Sequence, residues 1–200
     1  MGKNAIAYGL ILYVVGMILW NAAFTLPAVW ASQGQMGLAA PFYAAFSFTC
    51  HQLDHRSLCY YPEGEQIIAD CKPKDANDFA HRNIEIEDSA FGTGYKLAVC
   101  SRDTAIYFAM FLGAIAWIIV YRKNLARDVW PHPRWLILSM VPIALDGGTQ
   151  ILGLRESTNE LRIITGAIVG FAVSFYLIPA MNQIFNSIIS DIFGIFAKKG

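Results

Sequence analysis

Charged residues are scarce in this sequence. Only 15% of the 200 residues are Asp, Glu, Lys or Arg, against about 25% in soluble globular proteins. Hydrophobic residues make up 56%, and the mean hydropathy is +0.41. This composition excludes an ordinary soluble domain and predicts an integral membrane protein in contact with the lipid bilayer.

A net charge is also lacking, because 15 basic residues balance 15 acidic ones. No basic field favours a nucleic-acid partner, and no acidic excess favours disorder. The charges are unevenly distributed: none lies between Asn4 and Leu53, whereas nine of the 15 acids fall from Asp54 to Asp88. The chain therefore alternates between blocks suited to lipid and blocks suited to water.

Cysteine is limited to four residues, none of them in a Cys-x-x-Cys pair. This excludes a thioredoxin-like motif and a zinc ribbon. Cys59 and Cys71 are predicted to form a disulfide, because they lie twelve residues apart in a polar loop and cysteines outside the cytoplasm usually pair. The rest of that loop, Asp54 to Lys96, is interpreted as a solvated cap, and His81 and His132 as surface residues.

Four stretches predict transmembrane helices, since a bilayer core needs roughly 20 apolar residues of helix. Three are strongly apolar, and the other becomes polar in its second half. In chain order they are Ala5 to Val29, Thr104 to Tyr121, Trp135 to Leu154 (the more polar one) and Ile163 to Met181. The first has too long an apolar run for a secretory signal, so we expect it to be retained.

Two further segments favour helices at the membrane surface. Met36 to Cys50 is uncharged but has only about fifteen residues, which favours an interfacial helix over a span. If this segment did span, the amino terminus would lie outside and the rest would keep its orientation. Ile184 to Phe196 has apolar residues at helical spacing and predicts an amphipathic helix on the inner surface. The predicted fold is all-α: a polytopic helical membrane protein, with residues 1–200 forming one integral membrane domain.

Basic residues between the second and third spans set the predicted orientation. Arg122, Lys123, Arg127 and Arg134 outweigh Asp128 there, so this connection is expected on the cytoplasmic side. The sequence then predicts a multi-pass protein of the cell (plasma or inner) membrane with both termini cytoplasmic. The long loop from residue 51 to 102 is extracytoplasmic.

This topology brings polar residues from four separated pieces of sequence to the outer membrane face. Ionisable groups at such depth are costly and usually face a cavity or one another. The pieces are Cys50 to Gln52, Cys100 to Thr104, Asp146 with Gln150, and Arg155 to Arg162.

Asp146 is the single residue that most strongly indicates a site, because an unpaired carboxylate in an apolar helix costs on the order of 3 kcal/mol. It needs a partner, and Arg102, Arg155 and Arg162 are candidates at the same level. One interpretation is an ion pair that only holds helices together. The other gives Asp146 and Gln150 a catalytic role.

A second group offers metal-ligating chemistry. Cys50, His51, Cys100 and Asp103 carry the ligand types of a four-coordinate zinc site, although their spacing matches no recognised zinc signature. His51 and His55 lack the glutamate of the metalloprotease motif. Cys50 and Cys100 could equally form a second disulfide, and the sequence leaves both options open.

Residues 155–162 supply the third group. Ser157 or Thr158 could simply cap the following helix. The arginines beside them suit a phosphate or carboxylate headgroup, or nonspecific contact with lipid headgroups. The candidate substrate-binding residues are Arg102, Arg155, Ser157, Asn159 and Arg162.

Three ordered blocks resemble a known family: Phe46 to Gln52 with Arg56-Ser57, Val99 to Tyr107, and Asp146 to Gly166 with its Asp-Gly-Gly-Thr-Gln run. It is a prokaryotic family of small polytopic membrane proteins classed as a domain of unknown function, and the resemblance covers Ala40 to Gly170. It implies one shared site made of Cys50, His51, Cys100, Asp103, Asp146, Gln150, Arg155 and Arg162. Many members of that family have a cysteine at the position of Asp103, which fits metal ligation better than an obligatory disulfide.

Three functional hypotheses follow. The first is a metal-dependent enzyme, with a divalent metal such as zinc, that acts at the outer leaflet on a lipid or lipid-linked anionic substrate. The second is a structural or accessory subunit of a larger membrane complex. The third is a thiol redox protein that uses Cys50 and Cys100.

Overall fold

The computed structural model describes residues 7–64, 67–72, 82–88 and 91–197, and side chains as far as residue 188. Ala5, where the first span was predicted to begin, and His81 lie outside the described residues. The predicted tail, Ile184 to Phe196, is described by its backbone, and by its side chains only as far as residue 188. Within it the chain is mostly helical. The helices are α1 (Tyr8–Ser32), α2 (Met36–Phe46), α3 (Ser101–Val120), α4 (Arg134–Ile151) and α5 (Asn159–Ala197).

Among the described residues, three helices are long and apolar enough to cross a membrane: α1, α3 and the Asn159–Ile188 part of α5. The last predicted span, Ile163 to Met181, and the predicted tail helix, Ile184 to Phe196, are both helical and belong to one continuous helix, α5, of 39 residues. Asn182 and Gln183, which lie between the two predicted segments, do not interrupt a helix. α4 is helical but less apolar than the other three.

The prediction of a wholly helical chain is wrong in the region between α2 and α3. Four antiparallel strands form a small sheet there, β1 (Ser57–Tyr60), β2 (Ile68–Asp70), β3 (Glu85–Asp88) and β4 (Gly92–Cys100), in the order β2-β1-β4-β3. β3 is only four residues long and three of them are acidic, so its alternation of exposed and buried residues is hard to see in the sequence. The predicted disulfide between Cys59 and Cys71 is present and lies in the small core of this sheet.

α3 and α5 run parallel in close contact. A Cβ atom on Gly170 would lie 2.1 Å from the carbonyl oxygen of Ile106, and one on Gly166 would lie 2.7 Å from that of Arg102. Small residues allow helix backbones in membranes to approach in this way. The N-termini of α3 and α5 therefore lie at the same end of the bundle, beside the sheet.

Asn182 fastens the opposite end of the bundle. Its side-chain amide donates to the carbonyl oxygens of Leu125 (3.1 Å) and Arg127 (3.0 Å), and its Oδ1 accepts from the backbone N–H of Leu10 (3.0 Å). This buried side chain joins α1, α5 and the connection between α3 and α4. Asn182 therefore ties three parts of the chain together at the end of the bundle that lies away from the sheet.

Replacing Gly170 by Ala should destabilise the protein, because the added methyl group cannot fit against the Ile106 carbonyl. We expect a loss of about 1–3 kcal/mol in the free energy of unfolding, as for other overpacked sites. Gly16→Ala is the matched control: nothing lies within 4 Å of its added Cβ atom, so a change within about 1 kcal/mol is expected, in the stabilising direction. Denaturant titration in detergent measures both, and equal effects would contradict the close α3–α5 contact.

Candidate functional site

The chain leaves α2 through a strained turn at Cys50, His51 and Gln52. Gln52 has φ of 52°, a conformation that residues other than glycine rarely adopt. Its side-chain amide donates to the carbonyl oxygens of Tyr43 (2.9 Å) and Ala98 (2.7 Å). Such strain persists only where the surroundings over-determine it. The turn directs the Gln52 N–H towards Cys50 Sγ, 3.4 Å away.

A buried ion pair supports this turn from the sheet. Lys96 Nζ lies 2.6 Å from Asp54 Oδ1, and the two side chains are only 1% and 3% exposed. Lys96 also donates to the carbonyl oxygen of Gln52 (2.7 Å), and Asn83 Nδ2 donates to Asp54 Oδ2 (3.1 Å). Burial lowers the pKa of Lys96, and the bond to Asp54 opposes that shift. This pair was not predicted from the sequence, because a lysine in a polar loop carries no sign of burial.

Two thiols and one carboxylate meet above the N-terminus of α3. The ligand atoms of Cys50, Cys100 and Asp103 all lie within 4.8 Å of one another, and these residues are called the thiol cluster below. Cys50 Sγ accepts from the backbone N–H of Cys100 (3.1 Å), and Cys100 Sγ lies 3.1 Å from Asp103 Oδ2. Both cysteines are free thiols. His51, the fourth predicted ligand, is exposed and lies outside the cluster.

The two thiols of the cluster titrate differently. The hydrogen bond from the Cys100 thiol lowers the pKa of Cys50, and the backbone N–H groups of Gln52 and Cys100 act in the same direction, against the effect of burial. The same bond, burial and the charge of Asp103 raise the pKa of Cys100. Cys50 is therefore the more acidic of the pair.

A cavity of about 150 Å³ adjoins the thiol cluster. Arg56, Arg102, Arg162 and Gln150 form part of its wall, together with His51 and the cluster itself. This cavity is called the arginine pocket below. Three guanidinium groups around one small space create a local surplus of positive charge that suits an anion.

Asp146 is 2% exposed and paired with two arginines. It accepts hydrogen bonds from Arg102 Nη2 and from Arg155 Nη2, the latter at 2.7 Å. Arg155 also donates from Nε to Thr149 Oγ1 (3.1 Å). Neither Asp146 nor Arg155 lines the arginine pocket. The predicted partners of Asp146 are thus identified as Arg102 and Arg155, and Arg162 is not one of them.

Glu156 joins the loop before α5 to the sheet. Its Oε1 lies 2.9 Å from Arg56 Nη2 and 3.0 Å from Arg162 Nη2, and it accepts from Gln150 Nε2 at 2.7 Å. Arg56 and Glu156 were not among the predicted site residues. Arg56 directly precedes β1, and its place in the first block that resembles the family is the signal that could have brought it to the site.

Ser157 and Asn159, predicted to bind substrate, are 4% and 7% exposed and lie outside the pocket wall. Asn159 Oδ1 accepts from Ser101 Oγ (2.8 Å) and from Arg162 Nη1 (3.1 Å). Asn159 therefore fixes the N-terminus of α5 to that of α3 and orients a pocket arginine. Its geometry indicates a supporting role.

Lys96→Met should leave Asp54 buried without its cation, and we expect the free energy of unfolding to fall by about 3–5 kcal/mol. The turn at Gln52 should also loosen, so that maleimide reacts faster with Cys50. Adding Asp54→Leu should recover most of the lost stability, because two apolar side chains replace the pair. Lys123→Met, at an exposed position, is the control. A single substitution at Lys96 as mild as this control would contradict the role of the pair.

The chain is similar to a family model and to two archaeal proteins. The model of a family described as predicted membrane protein (DUF2085) matches residues 81–176. An uncharacterized protein of Methanocaldococcus jannaschii is 32% identical over 177 residues, which cover 86% of this chain and 91% of that protein. Another of Methanothermobacter thermautotrophicus is 35% identical over 81 residues, 40% of this chain and 69% of that protein. No solved structure matches. The predicted resemblance is confirmed, and the chain belongs to the DUF2085 family of predicted membrane proteins.

Proposed function

We propose that this chain is a membrane-embedded, metal-dependent enzyme that acts at the membrane surface on a lipid or lipid-linked anionic substrate. One observation carries the proposal: two thiols and a carboxylate converge beside a pocket walled by arginines. Cys50 and Cys100 would bind a soft or borderline metal such as zinc, with Asp103 as the third ligand. Catalytic zinc sites commonly have three protein ligands and leave a fourth position open for water or substrate.

The arginine pocket would hold the anionic group of the substrate. Arg56 and Arg162 are braced by Glu156, and Arg102 is braced by Asp146. Guanidinium groups fixed in this way present their remaining N–H donors to a phosphate or carboxylate with little loss of freedom. Gln150 and the exposed His51 would complete the wall as hydrogen-bonding and proton-exchanging groups.

Asp146 would act through Arg102 in this scheme. Since both of its carboxylate oxygens accept from arginines, it is a positioning residue that keeps Arg102 directed at the pocket. Arg155 would hold Asp146 in turn. The contacts thus favour a supporting role for two residues that the sequence places in catalysis and substrate binding.

We infer that α4 is a fourth membrane span. α3 and α5 are parallel, so the chain must return from the C-terminus of α3 to the N-terminus of α5, and α4 is the helix between them. Its 18 residues measure about 27 Å at 1.5 Å per residue, close to the thickness of a bilayer core. Both termini would then be cytoplasmic in the cell membrane, with the sheet and the arginine pocket on the outer side and α2 at the interface.

Sided labelling tests this topology. Asp128→Cys and Glu160→Cys place exposed thiols on either side of α4. In intact cells a membrane-impermeant maleimide should label Glu160→Cys and should reach Asp128→Cys only after permeabilisation. The wild-type protein supplies the background from Cys50 and Cys100. Labelling of both variants from the same side would show that α4 does not cross.

Metal analysis tests the enzyme proposal. Protein purified at neutral pH without chelator should contain about one zinc or other divalent ion per chain, as expected for a single three-ligand site. Asp103→Asn, Cys50→Ser and Cys100→Ser should lose it, whereas the matched control Asp128→Asn, an exposed acid far along the chain, should retain it. Wild-type protein without stoichiometric metal would contradict the proposal of a metal-dependent enzyme.

The same geometry gives specific support to two other functions. The hydrogen-bonded pair of Cys50 and Cys100 is compatible with thiol redox work, which predicts a disulfide between them in a substantial share of the protein in an oxidising setting. The fully paired Asp146 is compatible with an accessory subunit whose ion pairs only fix its helices. That function predicts purification with partner subunits and normal function of Asp146→Asn once it is folded.

A further inference from the structure

A second cavity lies on the other side of α3 from the arginine pocket. Its volume is about 330 Å³, within the size range of ligand sites. We propose that it holds a hydrocarbon chain of the membrane lipid whose phosphate group occupies the arginine pocket. The placement of the phosphate rests on the proposed function, whereas the placement of the chain rests on this cavity alone.

The first two turns of α3 separate the two spaces. Ser101, Thr104, Ala105 and Phe108 line the apolar cavity, and their spacing of three and four residues places them on one face of the helix. Arg102 and Asp103, on the opposite face, line the arginine pocket. The first two turns of α3 therefore contribute to the walls of both cavities, one on each face of the helix.

The hydroxyl groups in the cavity wall are already engaged. Thr25 Oγ1 donates to the carbonyl oxygen of Asn21 (2.8 Å), Thr104 Oγ1 donates to that of Cys100 (3.0 Å), and Ser101 Oγ donates to Asn159 Oδ1 (2.8 Å). No charged residue lines this cavity. A water-soluble ligand would find no polar partner there, whereas a lipid chain passes from one apolar environment to another and loses no hydrogen bond on entry.

The cavity also lies where a lipid chain can enter. Phe24 and Thr25 of α1 and Phe108 of α3 belong to helices that are apolar enough to span the membrane, and Leu58 and Ile68 belong to the sheet. Phe108 and Ile68 are 54% and 52% exposed. The wall thus combines membrane helices with the extramembrane sheet, at the depth where headgroups meet chains.

Photolabelling in vesicles tests the inference. The protein is reconstituted in phosphatidylcholine that contains a small share of phosphatidic acid with a diazirine in one acyl chain. After irradiation, crosslinks should map to the 101–108 segment and to the strands that hold Leu58 and Ile68. Thr104→Trp and Thr25→Trp, which fill the cavity from two different helices, should each lower the yield about tenfold, the factor that accompanies a loss of ~1.4 kcal/mol in affinity.

Leu112→Trp is the matched control, because Leu112 is exposed on α3 but does not line the cavity. It should leave the yield unchanged. Labelling that is spread evenly over the exposed helix faces, or that neither tryptophan in the cavity reduces, would overturn the inference. A diacylglycerol with the same diazirine chain should label about tenfold less, and equal labelling would overturn the link between chain and phosphate.

These outcomes are separable from those of the metal analysis. A protein with stoichiometric metal but with evenly spread labelling contradicts the lipid-chain inference alone. Site-specific labelling of a protein that binds no metal contradicts the metal-dependent enzyme alone.

Discussion

The parallel packing of α3 against α5 is the contact on which the rest of the structure depends. Gly166 and Gly170 allow the two backbones to touch, and Ser101 bonds to Asn159 where both helices begin. Because their N-termini coincide, the residues that start α3 and those that precede α5 share one layer. The same packing obliges the chain to return through α4, which brings Asp146 to that layer as well.

The sheet lies beside this layer, at the end of the bundle where α3 and α5 begin. β4 runs directly into α3, so that Cys100 ends the strand and Ser101 begins the helix. The buried pair of Lys96 and Asp54 then ties the strained turn at Gln52 to the sheet. Cys50 and Cys100 meet because each adjoins an element that this network holds in place. The thiol cluster is thus positioned by contacts outside the cluster itself.

Much of the helical part and of the candidate site could be predicted from the sequence. Long apolar runs gave the spans, since a bilayer demands length and hydrophobicity, and the cost of burying Asp146 predicted its arginine partners. The small sheet could not be predicted, because its strands are short and mix charged with buried residues. Arg56 and Lys96 were missed as well, because Arg56 pairs with Glu156 before α5 and Lys96 pairs with Asp54 before β1. These partners are distant in sequence, so no local pattern records them. His51 was expected in the cluster because it adjoins Cys50, but the turn at Gln52 leaves its side chain exposed.

The proposed metal site consists of Cys50, Cys100 and Asp103 beside the arginine pocket. X-ray absorption at the zinc edge of the zinc-loaded protein in lipid identifies the atoms that bind the metal. We expect two sulfur ligands at about 2.3 Å with nitrogen or oxygen ligands at about 2.0–2.2 Å. A zinc shell without sulfur, or with a single sulfur ligand, would show that the two thiols do not hold the metal.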